Sequence, residues 1–192
     1  MTPASPLQLS RKREGAQMID FSQDYFALFG LPQRYRFDPE ELDAAYRSLQ
    51  RVVHPDRYAA AGDAERRVAL QSSARVNEAY RALKDPVDRA QYLLSLRGID
   101  ALAETNTALA TDFLQRELER REAVGEAQAA RDADRLAALL REVRADAAAL
   151  ESTLAEHLDA EAWESARDVV RELRFLIKIA GDIEAAISEV ES

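Results

Sequence analysis

The chain has 192 residues, enough for one ordinary domain or two small ones, and 47% of them are hydrophobic, enough for a buried core. It has no cysteine and only two widely separated histidines, His54 and His157, which leaves no material for disulfides, thiolate chemistry or a Cys/His metal cluster. The net charge of −9 is uneven: residues 18–97 carry twelve acidic and twelve basic side chains, whereas residues 98–192 carry twenty-two and eleven, an acidic half unsuited to nucleic acid or anionic membranes.

Taken in chain order, Arg11, Lys12 and Arg13 are followed by no apolar run, so the start does not read as a secretory signal. Met18 stands immediately before the first patterned segment, and residues 1–20 are expected to be a disordered tail or a misassigned start. No stretch approaches the roughly 20 apolar residues of a membrane span. The basic residues are almost all arginine, as GC-rich bacterial coding would produce, and the expected location is a bacterial cytoplasm.

Tyr25 to Leu31 is short and apolar and is stopped by Gly30 and Pro32, which predicts one or two helical turns. A second helix announces itself with Asp38 as cap, Pro39 at the first helical position and Glu41 three residues after the cap. Leu42, Ala45, Tyr46, Leu49 and Val52 repeat at helical spacing behind them, and Pro55 ends the pattern. After a polar loop around Gly62, a third helix is predicted over about 64–83, with Val76, Ala79, Tyr80 and Leu83 on one face. Asp85-Pro86 restarts the chain into a fourth helix that runs to about Arg97, with Gly98 as its stop.

Residues 98–111 read as a linker, with residues 21–97 before it and 112–192 after it as separate domains. The second domain holds three predicted helices, over about 112–129, about 132–157, and from Asp159 onward. The last of these carries Trp163, Ala166, Val170, Leu173, Ile177 and Ala180 as a core stripe, with Phe175 and Ile179 off it. Short connections between amphipathic helices predict an antiparallel bundle. No alternating β-branched run is present, so the fold class is all-α.

The functional signal lies in the loop after the second helix, His54-Pro55-Asp56. Arg47, Arg51 and His54 are spaced i, i+4, i+7 and form one cationic ridge apart from the apolar stripe. The ridge leads to a turn stiffened by Pro55, at whose tip Asp56 presents a single carboxylate. No second carboxylate or nucleophile lies near in sequence, so the surface suits docking rather than catalysis. No phosphate-cradling glycine loop, nucleophile–base pair or metal-ligand cluster is found elsewhere.

The order of short helix, basic amphipathic helix, His-Pro-Asp, loop, long helix and Val76-Asn77-Glu78-Ala79-Tyr80-Arg81-Ala82-Leu83-Lys84-Asp85-Pro86 resembles the J-domain family. The resemblance implies an antiparallel helix pair whose His54, Pro55 and Asp56 contact a heat-shock ATPase, with Arg47, Arg51 and Arg57 steering the encounter. There is no Gly/Phe-rich or Cys-rich segment. Instead Arg89-Ala90-Gln91-Tyr92-Leu93-Leu94-Ser95-Leu96-Arg97-Gly98, Phe113-Leu114-Gln115-Arg116-Glu117-Leu118-Glu119-Arg120-Arg121-Glu122, Glu161-Ala162-Trp163 and Leu173-Arg174-Phe175-Leu176 look like the HscB branch, the J-type co-chaperones of iron–sulfur cluster assembly.

That likeness implies two partners, an HscA-type heat-shock ATPase and an IscU-type cluster scaffold. It implies no cofactor, no metal and no enzymatic activity beyond activation of the partner ATPase. The chain by itself is expected to be a monomer. Family scaffold-binding positions fall on Leu114, Gln115, Leu118, Glu119, Glu122, Glu126 and Phe175, with Gln115 standing where the family can carry Met. The six on the predicted helix share an arc of roughly 140° at about 100° per residue. A general J-domain co-chaperone for other protein clients is the alternative.

Overall fold

The computed structural model describes residues 19–103 and 109–192, and the described residues form seven α-helices and one 3-10 turn with no strand. The expected tail over 1–20 lies, apart from Ile19 and Asp20, outside the described residues. The helices are α1 (Tyr25–Phe29), α2 (Pro39–Val53), α3 (Asp63–Lys84), α4 (Pro86–Ser95), α5 (Thr111–Ala129), α6 (Ala133–Asp159) and α7 (Trp163–Val190), with the 3-10 turn at Pro55–Tyr58. Two compact units divide between Arg89 and Ala90, inside α4.

In the first unit, short-range chemistry sets the helix ends. The Asp24 carboxylate accepts from the Ala27 amide at 2.9 Å, and Gly30, at φ +68°, closes α1. Asp38 accepts from the Glu40 amide at 2.9 Å to open α2. Asp85 accepts from the Val87 and Asp88 amides at 2.9 and 2.8 Å to open α4. The core is built on Phe26, Leu42, Val53, Val76, Leu83 and Val87, all essentially without exposed surface. Each such side chain contributes about 1.5–3 kcal/mol by leaving water.

A polar ladder joins α2 to α3. Tyr46 and Tyr80 stack with ring centroids 4.0 Å apart, and the Tyr46 hydroxyl donates to Asn77 Oδ1 at 2.9 Å. Gln50 donates to the same oxygen at 2.5 Å. Tyr80 and Lys84 both donate to the Asp43 carboxylate, at 3.0 and 2.7 Å. Hydrogen bonds from Lys84, first, and Tyr80 hold the Asp43 carboxyl below its ordinary value of 3.8.

A folded-state value below the unfolded one gives stability that is fully present above the ordinary value and lost as pH falls through the lowered one. We therefore expect Asp43→Asn to be less stable than the parent at neutral pH and to converge with it on acidification. Denaturant unfolding at about pH 6 and about pH 3 checks this, and the gap should be small because the groups are open to water.

The second unit contains the end of α4, the segment after it, and α5 to α7. The connections before α6 and α7 are short, and both pass through residues in the left-handed region, Arg131 at φ +51° and Glu161 at φ +55°. Asp132 opens α6 by accepting from the Arg135 amide at 2.9 Å. Phe113, Ala127, Leu136, Leu139, Leu140, Val143, Leu176, Ile179, Ile183 and Ala186 form one buried cluster from all three helices. The segment expected as a linker over 98–111 belongs to this unit where it is described. Arg171 of α7 donates to the Ala101 carbonyl at 2.7 Å, the Arg97 guanidinium lies 4.7 Å from the half-buried Trp163 ring, and Arg174 donates to Gln91 of α4.

The α7 stripe differs from its predicted phase. Ile179 is 3% exposed and Ile177 is 44% exposed, the reverse of the expectation. The buried positions repeat every seven residues, as Val169, Leu176 and Ile183, and as Ala166, Leu173 and the partly buried Ala180. Along the helix the buried face turns from Val170 and Leu173 toward Leu176, Ile179 and Ile183, which leaves Ile177 in solvent although it stands seven residues after the buried Val170.

Candidate functional site

Two surfaces carry the residues singled out by sequence, one in each unit. The first sits at the C-terminal end of α2. Pro55 cannot continue the helix, so His54 takes an extended backbone at φ −60°, ψ 129°, and the chain drops into the 3-10 turn. His54 Nδ1 accepts from the Asp56 amide at 3.3 Å, which places the ring proton on Nε2 and turns Nδ1 inward to the backbone. His54 Nδ1 is also 3.6 Å from the Asp56 carboxylate. The Asp56 side chain is 90% exposed and accepts no hydrogen bond from a side chain in the described residues.

Helix α2 ends with carbonyls that have no partner within the helix. The turn supplies them. Arg57 donates to the Arg51 carbonyl at 2.8 Å, and Tyr58 donates through its hydroxyl to the Val52 carbonyl at 3.2 Å. The Arg57 charge also complements the negative end of the helix dipole. The turn is thus tied to the helix by side chains on both sides of the tip, while Asp56 is left free of that work. Arg47 and Arg51 are exposed on the same ridge, and neither forms an ion pair among the described residues; Arg51 Nε donates to the Arg47 carbonyl at 3.3 Å. His54, Pro55, Asp56, Arg47, Arg51 and Arg57 are therefore brought together at one end of α2. Tyr58, which sequence reasoning did not single out, has its signal in its place just past the proline turn.

The second surface is the outer face of α5. Phe113 points into the core and Ala127 follows it, while Leu114, Gln115, Leu118, Glu119, Glu122 and Glu126 are all exposed. At about 100° per residue they form two ridges, Leu114 with Leu118, and Gln115 with the three glutamates. Leu118 is 60% exposed, more than any other large apolar side chain among the described residues. Phe175 of α7 is partly buried and meets Phe113 edge-on, with centroids 5.6 Å apart and planes at 75°. It therefore sits at the margin of the core rather than wholly outside it. The Arg121 guanidinium lies 5.4 Å from the Phe175 ring centroid, a residue that sequence reasoning had passed over.

Beneath this face, Glu117 is turned inward with its side chain 4% exposed, and it pairs with Arg120, which also reaches Asp146 on α6. No helix of the described residues is long and apolar enough to cross a membrane. Among the same residues, no group of three or more His, Asp or Glu side chains could hold a metal ion.

Comparison with known proteins decides between possible owners of such a pair of surfaces. A DnaJ domain model matches residues 24–92, and an "HSCB C-terminal oligomerisation domain" model matches residues 109–184. The chain is 51% identical over 177 residues to a co-chaperone protein HscB homolog of Cupriavidus taiwanensis, covering 92% of this chain and 99% of that one. The chain belongs to the HscB co-chaperone family. A second relative in the family, from Burkholderia multivorans, is 47% identical over 175 residues, 91% of this chain and all of its own.

Solved structures agree with the HscB assignment. HscB from Vibrio cholerae superposes with a TM-score of 0.77 at 34% identity, over 88% of this chain and 99% of its own. Human HscB superposes with a TM-score of 0.86 at 25% identity, over 96% and 93%. The all-α J-domain with an HscB-type C-terminal helical domain is therefore established, as the His-Pro-Asp context and the later helices implied.

Proposed function

We propose that this HscB-family co-chaperone carries an IscU-type iron–sulfur scaffold on the outer face of α5 and delivers it to an HscA-type chaperone, whose ATP hydrolysis it accelerates through the His54-Pro55-Asp56 turn. The observation that carries the reading is the contrast between the Asp56 carboxylate, 90% exposed, and the side chains around it that brace the turn. A charge held out on a stiff turn loses little entropy on docking, and Arg47 and Arg51 beside it raise the rate of encounter with an acidic partner. The chain itself contributes no chemistry to hydrolysis, so ATP turnover in its presence alone should stay at background.

Client binding rests on the apolar ridge of α5. Leu114 and Leu118 expose apolar surface that a folded helix bundle has no need to show, and the acidic ridge beside them favours a basic client surface. We expect Leu114→Ala with Phe175→Ala to weaken scaffold binding by about 2 kcal/mol or more, on the order of thirtyfold, as for truncated anchor residues. Acceleration of the ATPase by the scaffold-free chain should be unchanged. Isothermal titration and a steady-state ATPase assay measure the two, and unchanged scaffold affinity would refute the α5 face. A general client set is the second reading, and equal binding of unrelated unfolded chains to the same face would favour it. The chain is read as a monomer when alone, although the C-terminal family description names oligomerisation, and light scattering gives the state.

A further inference from the structure

We propose that Arg121 is a specificity-determining residue of the client face, receiving a carboxylate or carbonyl oxygen of the bound protein beside its apolar contact. The inference rests on the reading of α5 as that face. Arg121 lies three residues after Leu118 and so on the same side of the helix, at the apolar edge rather than on the glutamate ridge. Its guanidinium lies over the Phe175 ring, 5.4 Å from the centroid, and Phe175 in turn meets Phe113 edge-on. This cation–π contact favours one placement of a side chain that would otherwise sample many rotamers.

The adjacent arginine shows what Arg121 is not used for. Arg120 turns inward and is consumed by Glu117 and Asp146. Arg121 is exposed and forms no ion pair among the described residues, and the carboxylate one turn before it, Glu117, is the one Arg120 holds. A guanidinium held over a ring by its charge still has N–H donors to offer, in a fork that fits a carboxylate or paired carbonyl oxygens. The face therefore has three chemically distinct parts, an apolar ridge, an acidic ridge and one ordered cation at the apolar edge. It fits a protein surface whose apolar patch is flanked by basic groups on one side and by an oxygen acceptor on the other. A uniformly basic surface would meet Arg121 as a like charge.

The test is isothermal titration of the full chain with an IscU-type scaffold at low and moderate salt, using Arg121→Met, Arg121→Lys and Arg121→Glu. Met keeps a long stem over the ring without charge, so it separates the cation from mere support of Phe175. We expect Met to lose about tenfold in affinity, the scale of one charge-assisted hydrogen bond, and to show a shallower salt dependence. Glu should lose more, and Lys should retain part of the affinity. Melting temperature and scaffold-free ATPase stimulation should be unchanged in all three. Wild-type affinity and salt dependence for Met and Glu would overturn the assignment. If the Leu114→Ala, Phe175→Ala variant also binds normally, the α5 reading itself falls; if that variant loses binding while the Arg121 variants do not, only the role of Arg121 falls.

Discussion

If the His54-Pro55-Asp56 turn is the ATPase-activating contact, Asp56→Asn should abolish acceleration of an HscA-type ATPase while leaving the melting temperature and helical content of the chain unchanged. The two halves of this expectation come from different atoms. The fold uses the backbone of Asp56, whose amide donates to His54 Nδ1 and whose carbonyl accepts from the Ala59 amide at 3.3 Å, and both survive the substitution. It makes almost no use of the carboxylate, which is 90% exposed. Losing a charged group at the centre of a docked contact costs about 2–5 kcal/mol, so stimulation should fall on the order of thirtyfold or more. A thermal melt and a steady-state ATPase titration give both numbers. Stimulation at the parental level would remove the turn from the mechanism.

Arg120→Ala should strongly destabilise the C-terminal unit. Glu117 is buried, one of its oxygens has no partner, and the other is held by Arg120. Removing Arg120 leaves an uncompensated charge in the packing between α5 and α6, a loss of about 3–5 kcal/mol. That is a large share of the roughly 5–15 kcal/mol by which domains are stable. The control is Glu117→Leu with Arg120→Leu, which removes both charges and should recover most of the loss, since a buried pair is often replaceable by apolar side chains. Asp146 stays solvated in either variant, its side chain being 49% exposed. Denaturant unfolding followed by circular dichroism measures the series. A single variant as stable as the parent would mean that the pair does not hold α5 to α6.

Much of this molecule is legible in its sequence where the determining interactions are local. Asp38 and Pro39 open α2, Pro55 ends it, and Asp85-Pro86 restarts the chain, all within a few residues of their partners. The exposed faces of α2 and α5 follow from helical spacing in the same way. Side-chain pairing across the fold was not legible. Asn77 is an ordinary surface residue until α3 brings it against Tyr46 and Gln50, thirty-one and twenty-seven positions away. Glu117 reads as one more solvated acid in a run of charges, and only its pairing with Arg120 compensates its burial.

The reversal of Ile177 and Ile179 has a different origin. The predicted stripe keeps Trp163, Val170 and Ile177 in one seven-residue register, but α7 runs from Trp163 to Val190 and its buried face turns away from that register, from Val170 and Leu173 to Leu176, Ile179 and Ile183. Phe175, close to the edge of that face, consequently lies at the core margin beside Phe113 rather than standing free.

The two proposed surfaces meet in one cycle only if the client carried on α5 and the tip at Asp56 act on the same ATPase. Single-turnover ATP hydrolysis by an HscA-type chaperone, measured with the full chain alone, with an IscU-type scaffold alone and with both, addresses this directly. The expected result is acceleration by the chain alone and a greater than additive rate with the scaffold present. Rates with the chain indistinguishable from those without it, whether or not scaffold is present, would contradict it.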